Sequence, residues 1–172
     1  MPELVPILTK SEIQKKVATV AEKISADYVG SDLLVIGVLK GAVVFLSDLI
    51  RQLTIPVKVE FVRVSSYGEN ISSTGQIRLI HKPECEIKNK DILIVEDIID
   101  TGLTISYLID HFYSFGPKSV QICTFIDKQE RREKKINIRY SCHIVEKGFL
   151  VGYGLDYAEN YRYLPDVCQL KI

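Results

Sequence analysis

The sequence predicts an α/β fold: a mainly parallel, twisted sheet flanked by helices. Three observations predict it. The runs 33–36 and 92–95 are apolar at every position, the pattern of strands buried on both faces. Segments with helical spacing alternate with these strands. Ligands in such sheets bind beyond the carboxyl ends of strands, and three chemically unusual segments fall there: 39–41, 96–104 and Lys128. The 172 residues suit one domain spanning 1–172.

The elements follow in order. Thr9 and Glu12 form a capping-box pattern, and Ile13, Val17, Val20 and Ile24 then recur at helical spacing. The strand at 33–36 leads into the turn Gly37-Val38-Leu39-Lys40-Gly41. A helix is predicted from Ala42 to Gln52, with Val43, Leu46, Leu49 and Ile50 facing inward. Val57 to Val64 alternates as a strand. After the polar stretch 65–75, Gln76 to Ile80 completes a hairpin. A buried strand at 91–95 precedes a helix running to about Phe115, stopped by Gly116-Pro117. Strands are predicted at 119–126, 139–145 and 149–153, with the mixed-charge segment 128–135 between the first two and a tail at the end.

Composition narrows the function. Lys plus Arg and Asp plus Glu are both 22, so the net charge is 0. A general nucleic-acid binder carries a basic excess, so no nucleic-acid partner is expected. No uncharged stretch is long enough to span a bilayer, and the N-terminus lacks the basic and apolar regions of a signal peptide. No membrane partner and a cytoplasmic location are expected. Cys85, Cys123, Cys142 and Cys168 form no CxxC pair, and His81, His111 and His143 are scattered, which argues against a disulfide framework.

The segment after Val95 carries the most chemistry. A loop of small residues opening a helix presents unpaired N–H groups and the positive end of the helix dipole, which together make a phosphate cradle. The Thr101 and Thr104 hydroxyls can donate to the same anion. Glu96 and Asp97 would repel phosphate, so they suit a different role. They can accept from sugar hydroxyls or hold Mg²⁺, which prefers carboxylate and water oxygens. Asp100 is placed to act as a general base. A bare Asp-Thr-Gly reads as a helix cap; four apolar residues, two acids, two more apolar residues and D-T-G-x-T read as a site for a ligand with a phosphate and a ribose-like diol.

Val95-Glu96-Asp97-Ile98-Ile99-Asp100-Thr101-Gly102-Leu103-Thr104 resembles the phosphoribosyl diphosphate (PRPP) signature of type I phosphoribosyltransferases, in the wording of the hypoxanthine-guanine branch. Val38-Leu39-Lys40-Gly41 looks like that branch's pyrophosphate loop. Ser65-Ser66-Tyr67-Gly68 resembles its mobile catalytic loop, here 65–75. The segment from Phe149 to Tyr157 is similar to its purine and metal segment, and Arg162 follows at the matching distance. The resemblance covers nearly the whole chain. It implies the type I fold with a small hood formed by the chain ends.

The resemblance also implies the roles. Glu96, Asp97, Ile99, Asp100, Thr101, Gly102, Leu103 and Thr104 would bind PRPP. Leu39, Lys40, Gly41 and Arg162 would hold pyrophosphate, with the Leu39–Lys40 peptide often cis in the family. Ser66 and Tyr67 would lie in the closing loop, which excludes water from the reacting centre. Lys128, Phe149, Leu150 and Asp156 would form the purine site, and Glu96, Asp97 and Asp156 the Mg²⁺ ligands. Lys128 has only donors, so it suits a carbonyl oxygen at purine position 6 and not an adenine amine. Read locally, Lys128 belongs to a solvated charge run; the family position assigns it to the base. Leu103 stands where some members carry lysine, which points to a bacterial-type member.

The implied reaction converts hypoxanthine or guanine plus PRPP to the nucleotide and pyrophosphate. Relative use of guanine, hypoxanthine and xanthine stays open. A homodimer or homotetramer is implied by the family. Two other readings share the fold: a nucleotide-sensing, RNA-binding regulator, and an enzyme for uracil or adenine. Fold alone does not choose between them.

Overall fold

A computed structural model describes residues 3–67 and 76–171. In chain order the elements are β1 (Glu3–Leu8), α1 (Lys10–Asp27), β2 (Leu33–Leu39), α2 (Val43–Ile50), β3 (Lys58–Tyr67), β4 (Gln76–His81), β5 (Asp91–Ile99), α3 (Leu103–Tyr113), β6 (Ser119–Lys128), β7 (Tyr140–Val145), β8 (Leu150–Val151) and β9 (Val167–Lys171). Six strands form one sheet in the order β4-β3-β2-β5-β6-β7. All neighbours in it are parallel except β3 and β4.

Alternation along the central strands sends side chains to opposite faces. Leu33, Val35, Leu93, Val95, Cys123 and Phe125 pack with α1 and α2 on one face. Leu34, Ile36, Ile92, Ile94 and Ile122 pack with Ile105, Leu108 and Phe112 of α3 on the other. Each large aliphatic buried this way contributes about 1.5–3 kcal/mol. The capping box starts α1 as its sequence requires: Glu12 N–H donates to Thr9 Oγ1 at 3.3 Å, and Thr9 N–H donates to Glu12 Oε2 at 2.8 Å.

Four expectations need correction. Val43 is exposed rather than inward-facing. Phe45, whose ring meets Phe125 at 5.3 Å, sets the buried stripe of α2 with Leu46 and Leu49 and turns Val43 outward. The tail, to which the sequence assigned no element, carries β9, which pairs antiparallel with both β1 and β8. The Pro6 in β1 argues against a strand locally, and its partner lies at the opposite chain end, Glu3 opposite Lys171. The resulting sheet, β1-β9-β8, is the hood formed by the chain ends. The short strand expected over 149–153 is only Leu150–Val151, because Gly152 and Tyr153 take positive φ of 94° and 51° and turn the chain. Ser65, Ser66 and Tyr67 belong to β3, opposite Arg78, Ile77 and Gln76. The rest of the 65–75 loop, 68–75, lies outside the described residues.

Candidate active site

β5 runs four residues further than its apolar core, because the parallel pairing with β6 continues through Ile98 opposite Ile126 and Ile99 opposite Asp127. Glu96 and Asp97 are therefore held on a strand. Asp100 and Thr101 then form the turn into α3, completed by Gly102 at φ 82°. A Cβ on Gly102 would sit 3.0 Å from the Lys134 carbonyl and 3.1 Å from Ile136, so both backbone angle and space call for glycine. Leu103 N–H donates to Thr101 Oγ1 at 3.3 Å. The N-terminal turn of α3 leaves N–H groups without helical partners. A hollow of about 170 Å³ lies there, lined by Glu96, Asp97, Ile99, Asp100, Thr101, Gly102 and Thr104 among others.

This turn is clamped from above by the charge-rich segment that follows β6. Arg132 donates to the carbonyls of Asp100 (2.9 Å), Ile99 (3.0 Å) and Lys128 (2.9 Å), and to Asp127 Oδ1 at 2.6 Å. The N–H groups of Glu133 and Lys134 both donate to the Thr101 carbonyl. Sequence reasoning singled out neither Arg131 nor Arg132. Nothing local separates them from their charged neighbours; their place three and four residues beyond Lys128 was the only available signal.

The two acids sit close under the loop that follows β2. Glu96 is buried, and that burial, with Asp97 beside it, pushes its carboxyl well above the usual range. Burial also raises Asp97, opposed by hydrogen bonding from Glu96 and the Ile98 N–H and by the charge of Arg162. Gly41 lies against Asp97: a Cβ there would overlap the carboxylate outright. Leu39 and Lys40 precede it, joined by a cis peptide. Lys40 Nζ pairs with Glu159 Oε2 at 2.7 Å, and Arg162 Nη2 reaches Glu159 at 3.3 Å and Asp156 at 3.0 Å. Arg162 Nη1 donates to the Gly154 carbonyl at 2.8 Å, while its Nε is buried without a hydrogen-bond partner among the described residues. Glu159, which joins the two cations, also escaped sequence reasoning.

A second hollow of about 170 Å³ is lined by Asp97, Ile98, Asp100, Lys128, Arg131, Phe149, Leu150, Leu155 and Asp156. Lys128 is buried, its side chain only 7% exposed, which overturns the local reading of a solvated lysine. Its Nζ stands 3.5 Å from Asp100 Oδ2 and 3.5 Å from Glu130 Oε2. Phe149 is partly exposed, its ring edge-on to Tyr157 at 5.5 Å. Asp156 Oδ2 accepts from the Glu159 N–H at 2.9 Å. The two hollows share Asp97, Ile98 and Asp100. One suits an anion at a helix start; the other offers an aromatic face, a buried ammonium and carboxylates. Among the described residues no three His, Cys, Asp or Glu side chains converge as a metal cage.

An anion cradle at the end of a central parallel strand, two acids before it and a second hollow beside it are the features a phosphoribosyl-transfer site requires. Residues 6–158 match the phosphoribosyl transferase domain, and the chain belongs to that family. It is similar to the hypoxanthine-guanine phosphoribosyltransferase of Bacillus subtilis (strain 168): 42% identical over 165 residues, covering 96% of this chain and 92% of the relative. A crystal structure of a hypoxanthine phosphoribosyltransferase from Staphylococcus aureus superposes with a TM-score of 0.93 at 38% identity, covering 96% of this chain and 90% of the other. A Bacillus anthracis hypoxanthine-guanine phosphoribosyltransferase, with HEPES in its active site, gives 0.92 at 36% identity over all of both chains.

Proposed function

We propose that this enzyme is a 6-oxopurine phosphoribosyltransferase of purine salvage, acting in the cytoplasm as a homodimer or homotetramer. It joins hypoxanthine or guanine to the ribose of PRPP and releases pyrophosphate. The observation that carries this reading is the position of Asp100 where the anion hollow and the base hollow meet, with buried Lys128 on the base side.

The chemistry follows from that arrangement. The bond from purine N9 to ribose C1′ forms as the bond from C1′ to the pyrophosphate oxygen breaks, and positive charge develops on the ribose. Asp100 takes the proton from purine N7, a role worth about 10²–10⁴-fold. The backbone and hydroxyls of 101–104 hold the 5′-phosphate. Glu96 and Asp97 accept from the ribose hydroxyls. Arg162 and the N–H groups of Lys40 and Gly41 hold pyrophosphate. Lys128 donates to the 6-carbonyl, Phe149 stacks on the purine, and the Leu150 carbonyl reads its edge.

Glu96 and Asp97 from one side and Asp156 from the other would hold Mg²⁺ through the bound substrate, not as a preformed three-carboxylate cage among the described residues. Two adjacent buried carboxylates favour a cation beside them, and Asp156 shares the base hollow with Asp97. Substrate oxygens and water complete such a site, as Mg²⁺ prefers. When bound, Mg²⁺ neutralises charge on the leaving pyrophosphate.

The test offers hypoxanthine, guanine, xanthine, adenine and uracil singly to the protein with PRPP and Mg²⁺, with nucleotides separated by chromatography. Product from hypoxanthine or guanine, abolished by EDTA, is the expected result. Product from adenine or uracil alone, or from no base, contradicts it.

A further inference from the structure

The carboxylate assigned to the purine proton is already engaged. Asp100 Oδ2 accepts from Arg131 Nε at 2.9 Å and also from Arg131 Nη2, and Lys128 Nζ stands 3.5 Å from the same oxygen. Asp100 Oδ1 is buried and has no hydrogen-bond partner among the described residues. A carboxylate oxygen offers about two lone-pair sites, so these donors saturate Oδ2, while Oδ1 presents no surface to the base hollow. A purine N–H entering the hollow finds no acceptor on Asp100 while Arg131 stays in place.

Two adjacent arginines have opposite freedoms here. Arg132 is 20% exposed and locked by four hydrogen bonds, which pins the backbone of this segment to the cradle. Arg131 is 65% exposed, and its hydrogen bonds run only to Asp100 among the described residues. It also lines the base hollow. Its side chain can swing into water while its backbone stays fixed, and solvent screens the pair on the arginine side, although the Asp100 side chain is only 19% exposed.

We propose that Arg131 is a positioning residue that latches Asp100 until the incoming 6-oxopurine displaces it. The inference rests on the assignment of Asp100 and the base hollow given above. Displacement frees Oδ2 for the N7 proton and releases the Lys128 ammonium toward the base carbonyl. The latched state is closed to the base, so the apparent affinity for the base falls with the fraction that is latched. The latch contacts no part of the anion hollow apart from Asp100, so PRPP affinity is left as it is.

Steady-state kinetics of Arg131→Ala and Arg131→Lys against the wild type test this. The expected result is a hypoxanthine KM lowered about two- to fivefold in Arg131→Ala, the range an ion pair screened by solvent on one side permits, with the PRPP KM unchanged. Arg131→Lys keeps a charge without the fork and falls between. Loosening the site, or losing a group that recognises the base, raises the base KM, so the sign separates the latch from a merely structural role. An unchanged or raised hypoxanthine KM in either variant overturns the latch while leaving the enzyme assignment standing. A wild-type protein that forms no purine nucleotide overturns both.

Discussion

Lys128 shows how much one side chain decides. An ammonium at the end of β6 is buried beside Asp100 and Glu130, adding a donor to acids that Arg131 and the Gly148 N–H already engage. A hydrogen bond to a charged group contributes about 1.5–3 kcal/mol. Lys128→Ala should therefore raise the hypoxanthine KM by about ten- to a hundredfold and erode the preference for 6-oxopurines over adenine, read by base competition. Gly41 is as demanding for a different reason. Any Cβ overlaps the Asp97 carboxylate, so Gly41→Ala should displace that acid and weaken PRPP use, measured as a raised PRPP KM. The sequence made Asp100, Thr101 and Gly41 legible because their types and spacing carry the chemistry. It left Arg131, Arg132 and Glu159 silent, because what they bind is chosen by tertiary contact: backbone carbonyls for Arg132, and side chains from distant turns for the other two.

Strands and helices were legible wherever their pattern reflects the face they bury. The runs 33–36 of β2 and 92–95 of β5 are apolar at every position because both faces are covered, and the Thr9–Glu12 box marks the start of α1. Thr9→Ala should cost about 1 kcal/mol, measured by urea unfolding. At the other end of α1, Tyr140 donates its hydroxyl to Asp27 at 2.6 Å. That bond comes first in holding the Asp27 carboxyl below its usual range, with Arg139 helping and partial burial opposing. A lowered folded pKa gives stability that is present above the ordinary carboxylate range and lost as pH falls through the folded value. Asp27→Asn should accordingly flatten the acid side of the stability–pH curve, read by melting temperature from neutral pH downward. Element ends were least legible. β5 and β6 run on into the site because their parallel pairing continues, and β1 and β9 depend on each other across the whole chain.

At the scale of the molecule, the site is assembled from segments far apart in sequence: the loop after β2, the turn after β5, the end of β6 and the hood segment from Phe149 to Arg162. The hood is tied to its own turn by Tyr153 N–H to the Leu164 carbonyl and Gly154 N–H to the Arg162 carbonyl. Arg162 and Lys40 then meet at Glu159. This convergence explains why local patterns announced the proposed phosphate half clearly and the proposed base half weakly. A homodimer or homotetramer predicts a light-scattering mass of two or four times 19.5 kDa; a monomer contradicts it. The central claim is that one carboxylate joins the two halves chemically. It is tested most directly by measuring kcat and the PRPP dissociation constant of Asp100→Asn. The expected result is a kcat lowered by about 10²–10⁴-fold with PRPP still bound nearly as tightly as by the wild type. An unchanged kcat, or a loss confined to PRPP binding, would contradict it.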